Sequence, residues 1–384
     1  MMLLNRSFFI ITLWAFGTQV FASDWGGHSK LFLNSESSSS HGSSQDGVVL
    51  MQRLNVAQSL SEKWQVNAAY EFIANKTNSN ATTIDPTQPY RAFHTGKVWS
   101  SKDNKSIINQ NLDRFQIRFS NEEWRIIAGR QAIWFGVGRI SNPTDVFAPI
   151  SFIQNDKEHR IGVDAVRISH SLGELSDIEF GLVFGDKFKT ENSAFFSKIR
   201  TNIENWDIEG IFIDFLDATL VGANIQTNWA GIGFFTEMAE TKPMGEDPYF
   251  RLNFGATAML QNEVILNGEF HYNGAGERDY EEYFSSLDSF SFTNGGVWYL
   301  AKEYASLGFS VAPHPLWQIS SDVILNINDQ SFLVSGGLEH SIADELSAGI
   351  YAVIPNARKT GTEFTEYPRS VQANMRFYFC LLYT

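Results

Sequence analysis

Apolar and polar residues alternate along most of this chain, one segment after another. Between Leu112 and Ser120, Phe115, Ile117 and Phe119 share one face, and Arg114, Gln116, Arg118 and Ser120 share the other. Phe250, Leu252, Phe254, Ala256, Ala258 and Leu260 likewise oppose Arg251, Asn253, Gly255 and Thr257. Further on, Val371, Ala373, Met375, Phe377 and Phe379 oppose Gln372, Asn374, Arg376 and Tyr378. Successive residues of a strand point to opposite faces, so each segment reads as a strand with one apolar and one polar side. The pattern predicts about 18 strands, with 16 as the alternative count. They fall at residues 25–34, 48–60, 63–74, 111–120, 123–136, 160–171, 174–185, 194–203, 205–215, 217–228, 229–239, 249–260, 263–273, 305–313, 316–327, 330–342, 344–354 and 369–380.

Alternation suits a soluble sandwich and a transmembrane antiparallel barrel equally. The connectors separate the two. Short ones (Ser61-Glu62, Asn121-Glu122, Leu172-Gly173, Glu204-Asn205, the region of Trp229, Gln261-Asn262, His314-Pro315, Ala343-Asp344) alternate with long polar stretches. Those stretches include residues 35–47, 75–110, 136–159, 273–303 and 355–368. Short periplasmic turns and long extracellular loops are the layout of a membrane-spanning barrel, all-β and closed. Trp25, Trp64, Trp124, Trp206, Trp229 and Trp317 each open a strand directly after a proposed periplasmic end or turn. Indole favours the membrane–water boundary, so these six read as an aromatic girdle at one depth.

At the N-terminus a polar stretch with Arg6 precedes the apolar run Phe8 to Phe16 and then Val20-Phe21-Ala22. That is the layout of a secretory signal peptide cut after Ala22, the run being about half the ~20 residues of a spanning helix. Residues 1–22 are thus expected to direct export and 23–384 to form one barrel in the outer membrane of a Gram-negative bacterium. Its lipid is then the first partner. The chain is 43% hydrophobic and 14% aromatic, apolar surface cut into short pieces. One cysteine, Cys380, excludes an internal disulfide framework. A net charge of −14 argues against nucleic acid.

One passage carries a family resemblance. Gly129-Arg130-Gln131-Ala132-Ile133-Trp134-Phe135-Gly136 runs on into Arg139-Ile140-Ser141-Asn142-Pro143-Thr144-Asp145-Val146-Phe147-Ala148-Pro149. It resembles a "GRQ…WG…NP.D…P" stretch of the Gram-negative outer-membrane porin-like barrels, the putative porins. The final strand, with Phe377 and Phe379, is similar to the assembly signal of such barrels, but Cys380 to Thr384 extend past the usual aromatic end. In porins of this architecture the third external loop folds into the barrel. The resemblance therefore implies that Asp145, Phe147, Asp156, Lys157 and Glu158 sit near a constriction.

A charge facing lipid at mid-membrane costs roughly 2–4 kcal/mol, so strand-centre charges should point into the lumen. That rule places Arg53, Arg114, Arg118, Arg167, Lys198, Arg200, Arg251 and Arg376 inside as channel-lining bases. It places Glu71, Asp207, Glu209, Glu237, Glu269, Asp322 and Glu339 inside as channel-lining acids, with Asp177 and Glu179. The bases gather on the early strands and the last one, many of the acids on later strands, as a tendency. Opposed walls would orient polar solutes through a transverse field; ordinary pairing of interior charges is the plainer reading. Arg114 and Arg118, four apart on one face, with Arg53, Lys198 and Arg200 nearby, would form a ladder for anions. Arg130 has the wrong parity relative to Arg125, which predicts a bulge between them.

Catalytic spacing is absent, so no enzyme is expected. The eight histidines lack metal-ligand spacing. Ser169 and His170 adjoin on a strand and so face opposite ways. Glu277 to Tyr283 lacks the glycine and alternating ligands of a calcium loop and reads as a solvated acidic loop, while Ser35 to Ser44 reads as a Ser-rich external loop. No metal or cofactor is implied. The expectation is passive diffusion of small polar solutes, anionic ones favoured, through a barrel compatible with a homo-oligomer. A dedicated transporter or exporter of an acidic polysaccharide or apolar compound, and a non-conducting adhesin barrel, stay open.

Overall fold

The computed structural model describes residues 23–37, 44–78, 90–94, 96–149, 158–356 and 361–382; the expected signal peptide, Asp156 and Lys157 lie outside them. The first half of the wall comprises β1 (Ser23–Ser37), β2 (Ser44–Ser59), β3 (Trp64–Thr77), β4 (Lys97–Ser100), β5 (Ser106–Ser120), β6 (Trp124–Ala132), β7 (Gly162–Gly173), β8 (Ser176–Phe184), β9 (Ala194–Ile203) and β10 (Trp206–Phe215). The second comprises β11 (Ala218–Trp229), β12 (Ile232–Pro243), β13 (Tyr249–Met259), β14 (Ile265–Asn273), β15 (Glu303–His314), β16 (Trp317–Asn326), β17 (Phe332–Ala343), β18 (Leu346–Asn356) and β19 (Arg369–Leu382). Neighbours run antiparallel, and β1 pairs with β19 from Asp24/Leu382 to Ser37/Arg369, closing the sheet. β4 stands outside the ring, pairing only with the far part of β5. The wall therefore has 18 strands, the larger of the two counts. Leu381 lies opposite Trp25, so Cys380, Leu381 and Leu382 lengthen the last strand.

The period-two pattern decides which face points where. Leu33, Leu50, Phe72, Phe115, Phe254, Leu307 and Ile350 are 48–65% exposed and all point outward. In water such a belt would forgo about 25 cal/mol for each Å² of apolar surface left uncovered; lipid removes that penalty. Lys30, Arg53, Glu71, Glu237, Arg251 and Glu269 point the other way and are buried.

At one end every connector is short: residues 60–63, 121–123, 174–175, 204–205, 230–231, 260–264, 315–316 and 344–345. The hairpin at Ala230 (φ 52°) and Gly231 (φ 81°) needs two left-handed residues, as a two-residue turn matching the strand twist does. All six girdle tryptophans lie at this end on the outward face, although Trp229 closes β11 rather than opening β12. Trp124 stacks on His170 at 4.2 Å and Trp317 on His340 at 4.1 Å. The opposite end is mixed. Residues 133–161 and 274–302 are long, yet Leu216-Asp217 joins β10 to β11, so the expected alternation of lengths is not strict.

Two departures from regular pairing shape the interior. Ala69 and Tyr70 of β3 face Arg114 and Leu112 of β5, which leaves Asp113 as the extra residue of a bulge. Asp113 and Arg114, though adjacent, therefore both turn inward. β5 and β6 pair only from Phe115/Arg130 to Ser120/Arg125 and part beyond that point. Gly129 sits at the parting with φ 114°, where a Cβ would come within 2.2 Å of the Phe115 carbonyl oxygen. Only glycine fits there.

Candidate functional site

Leaving β6, the chain from Ile133 to Pro149 turns into the barrel and reaches the wall on the far side. Glu237 of β12 receives it. One carboxylate oxygen accepts the Val137 and Gly138 amides at 2.9 and 3.1 Å, and the other accepts the Thr144 amide and hydroxyl, both at 2.8 Å. Gly136 (φ 88°) makes this approach feasible, since a Cβ there would lie 2.5 Å from a Glu237 oxygen. Glu269 of β14 accepts the Arg139 amide at 2.8 Å and the Ile140 amide at 3.4 Å. From β13, Arg251 donates to the Pro143 carbonyl at 2.7 Å and Asn253 to that of Ser141. Hydrogen bonds to a charged acceptor are worth about 1.5–3 kcal/mol, so this strap is held firmly.

The strap brings its own apolar core. Phe147 is fully buried, its ring 4.9 Å from Tyr90, 5.8 Å from Phe135 and 6.2 Å from Phe196. Inward-facing Ile211, Ile213 and Leu220 complete the cluster. Asp145 is also fully buried; its carboxylate accepts the Phe147 and Ala148 amides, both at 3.0 Å, and Arg160 lies 3.8 Å away. Burial pushes the Asp145 carboxyl up to about 7. The returning limb reaches the other side, where Glu158 meets Lys30 of β1 and Tyr378 of β19. The strap thus crosses the ring from β12–β14 to β1 and β19.

Most of the expected interior bases are paired. Arg53 meets Glu71 and Asp113, Arg167 meets Glu179, Lys198 meets Glu209, Arg200 meets Asp177 and Arg376 meets Glu339. Arg114 is bound to Asp113 and to the Arg160 carbonyl, and Arg251 holds backbone carbonyls. Among the described residues Arg118 has no ion pair, and its Nε is buried without a hydrogen-bond partner. Of the acids, Asp207 accepts from Asn202 at 2.9 Å, Glu339 accepts from Tyr351 at 2.6 Å, and Asp322 leans over Gly308. Asp145 and Phe147 face protein, not solvent, so within the expected constriction set they shape the strap rather than edge an opening.

Parity misplaced one residue and missed several. No register shift separates Arg125 from Arg130; β6 is regular, and Arg130 faces outward. There it forms two 2.7 Å bonds with Asp164 and another to the Leu112 carbonyl at 2.9 Å, beside Phe93 and Phe188. Lys30 lies at a strand centre and could have been found by the lumen rule. Asp113 could not, because its bulge is invisible to a period-two count. Ser169 bonds Glu179 while His170 stacks on Trp124, so the two do face apart.

An apolar belt outside, an aromatic girdle at one end and a polar, strapped interior define an outer-membrane β-barrel. No protein-family model matches the chain, and no curated protein matches it in sequence. Solved structures do match in fold. OccAB4 of Acinetobacter baumannii superposes with a TM-score of 0.62 at 8% identity, over 94% of this chain and 98% of that one. OccK5 (OpdH) of Pseudomonas aeruginosa gives 0.61 at 7% over 94% and 98%, and OprD of the same organism 0.59 at 10% over 95% and 96%. These are outer-membrane porins of Gram-negative bacteria, and this chain has their fold, a closed 18-strand antiparallel barrel.

Proposed function

We propose that this chain is a porin-like outer-membrane channel passing small polar solutes by passive diffusion, with preference for those carrying an anionic group. In this reading residues 1–22 are removed on export and 23–384 form the pore. One observation carries it: a wet, charged vestibule lies between the strap and the short-turn end. Its cavity of about 670 Å³ is lined by Gly136 and Val137 of the strap, by Arg125, Arg167, Lys198 and Arg200, and by Glu122, Glu123, Glu174, Asp177, Glu179, Asp207 and Glu209 of the wall and its turns. Arg118 and Arg125 share the inward face of β5 and β6, and neither has an ion pair among the described residues. Each offers a positive charge with no carboxylate in contact, at a cavity where acids outnumber bases overall. The fuller ladder is not retained, because Arg114 is spoken for by Asp113 and Arg160.

The test is Arg118→Glu together with Arg125→Glu, reconstituted in planar bilayers under a salt gradient. The reversal potential should move toward cation preference, and the shift should shrink at high salt as screening grows. An assembled double variant with the wild-type reversal potential would refute the anion preference. A channel dedicated to one ligand is the second reading, favoured by the fixed strap; conductance steps blocked by a single solute would select it, and silence would select a non-conducting barrel.

A further inference from the structure

We infer that His28, Glu158 and His159 form a binding site for a divalent transition-metal ion, zinc foremost, which fastens the returning limb of the strap to β1. One ligating atom from each lies within 4.8 Å of the others. His28 projects inward from β1 and is only 2% exposed. Its ring stacks on that of His159, the centroids 5.3 Å apart and the planes 7° from parallel. The Nε2 atoms of both rings are buried without a hydrogen-bond partner. Two adjacent imidazole nitrogens turned away from water and from every protein donor call for a Lewis acid.

The chemistry of the donors agrees. His159 Nε2 lies 3.6 Å from a Glu158 oxygen, while the other Glu158 oxygen meets Lys30 and, at 3.0 Å, the Tyr378 hydroxyl. Zinc bound at about 2.0–2.1 Å needs donors about 3.4 Å apart, a closure that rotation about the soft χ2 of each ring supplies. Two imidazoles and one carboxylate suit zinc, copper or nickel and disfavour calcium and magnesium. Lys30 and Arg53 beside the site oppose a second positive charge, while Glu71 and Asp113 offset them.

Binding rests on this geometry alone; its effect on passage rests also on the channel reading. The full barrel, purified in detergent and stripped with EDTA, is titrated with zinc chloride by calorimetry. One zinc per barrel is expected, its affinity falling at least tenfold in His159→Ala and in His28→Ala and unmoved in His94→Ala. His159 lies in the strap, so its replacement leaves the wall intact and keeps the test independent of folding. No saturable zinc binding by the wild type, or equal binding by both ligand variants, would overturn the site. In bilayers, zinc should lower the conductance of the wild type and spare His159→Ala. Saturable binding with unchanged conductance would keep the site and overturn its hold on passage, and a silent bilayer would refute the channel while the titration still decides the site.

Discussion

At the scale of single residues, Glu237 is the anchor to test first. Its two oxygens serve four donors of the strap, three of them backbone amides that have no other use. Glu237→Gln would turn an amide NH2 toward amide donors, and each buried group left unsatisfied costs about 1–3 kcal/mol. Both Glu237→Gln and Glu237→Ala should therefore loosen residues 133–149, speed their proteolysis and raise single-channel conductance. Gly136→Ala should act in the same direction, since left-handed backbone costs an L-residue about 1–2 kcal/mol before any clash with Glu237. Unchanged conductance in an assembled Glu237 variant would show that the strap does not limit passage. The sequence marked Glu237 as an inward acid, but not what it holds. That depends on a segment a hundred residues away, beyond the reach of local pattern.

Among elements, β5 shows where counting by twos succeeds and where it stops. Arg114, Gln116, Arg118 and Ser120 were legible as one inward face because the strand is regular from Arg114 onward. On the far side of Asp113 the phase resets, and Asn109 and Asn111 also turn inward and are buried. Removing Asp113 would erase the bulge and set Leu112 directly before Arg114, so the alternation would run unbroken with Asn109 and Asn111 still inward and Leu112 still toward lipid. The deletion should therefore keep the compact, heat-modifiable band on gels but lower the temperature at which it is lost, because Arg53, Arg114 and the Gly162 amide lose their carboxylate. Asp113→Asn should still assemble, with a stability loss of up to about 3–5 kcal/mol from breaking a buried ion cluster, read as a lower melting temperature. Loss of that band in the deletion variant would show that the extra residue is needed for assembly itself. An Asp beside an Arg in a strand was the available sign, since parity alone would have sent one of them into lipid. Arg130 gives the converse lesson: an outward arginine persists because Asp164 faces it from β7 and the chain at Phe93 covers it.

For the whole molecule, the even strand number, the closure and the lipid-facing belt were all readable, because they depend on periodicity summed over many segments. The inner packing was not, because it joins connectors to distant strands. Glu363, in the connector before β19, is an example. It is buried against Leu300, Tyr304 and Asn326, and burial pushes its carboxyl up to about 7 from an ordinary 4.5. A carboxyl whose folded pKa is raised binds its proton more tightly folded than unfolded. Its contribution is complete below about 4.5 and is lost as pH rises through about 7. With the intrinsic base-catalysed rate divided out, hydrogen-exchange protection over residues 361–367 should accordingly fall between pH 5 and pH 8, and Glu363→Gln should flatten that slope. A slope that survives the substitution would assign the effect elsewhere.

The parting of β5 from β6 has a mechanical consequence. A cylinder rolled from one ribbon is expected to be weakest where its two free edges were joined. Here that joint is stitched over the whole length of β1 and β19, while the short seam lies about a third of the way along the chain. Beyond Phe115 the seam is spanned by side chains instead of backbone rungs: Arg130 reaches the Leu112 carbonyl, and Asp113 accepts the Gly162 amide at 3.0 Å. Under heat or lateral tension the cylinder should tear at this line before it unrolls from its ends. Arg130→Ala should advance the tear, exposing the amides of Leu112 to Phe115 to exchange while those shared by β1 and β19 stay protected. The opposite order of exposure would place the fracture back at the joint.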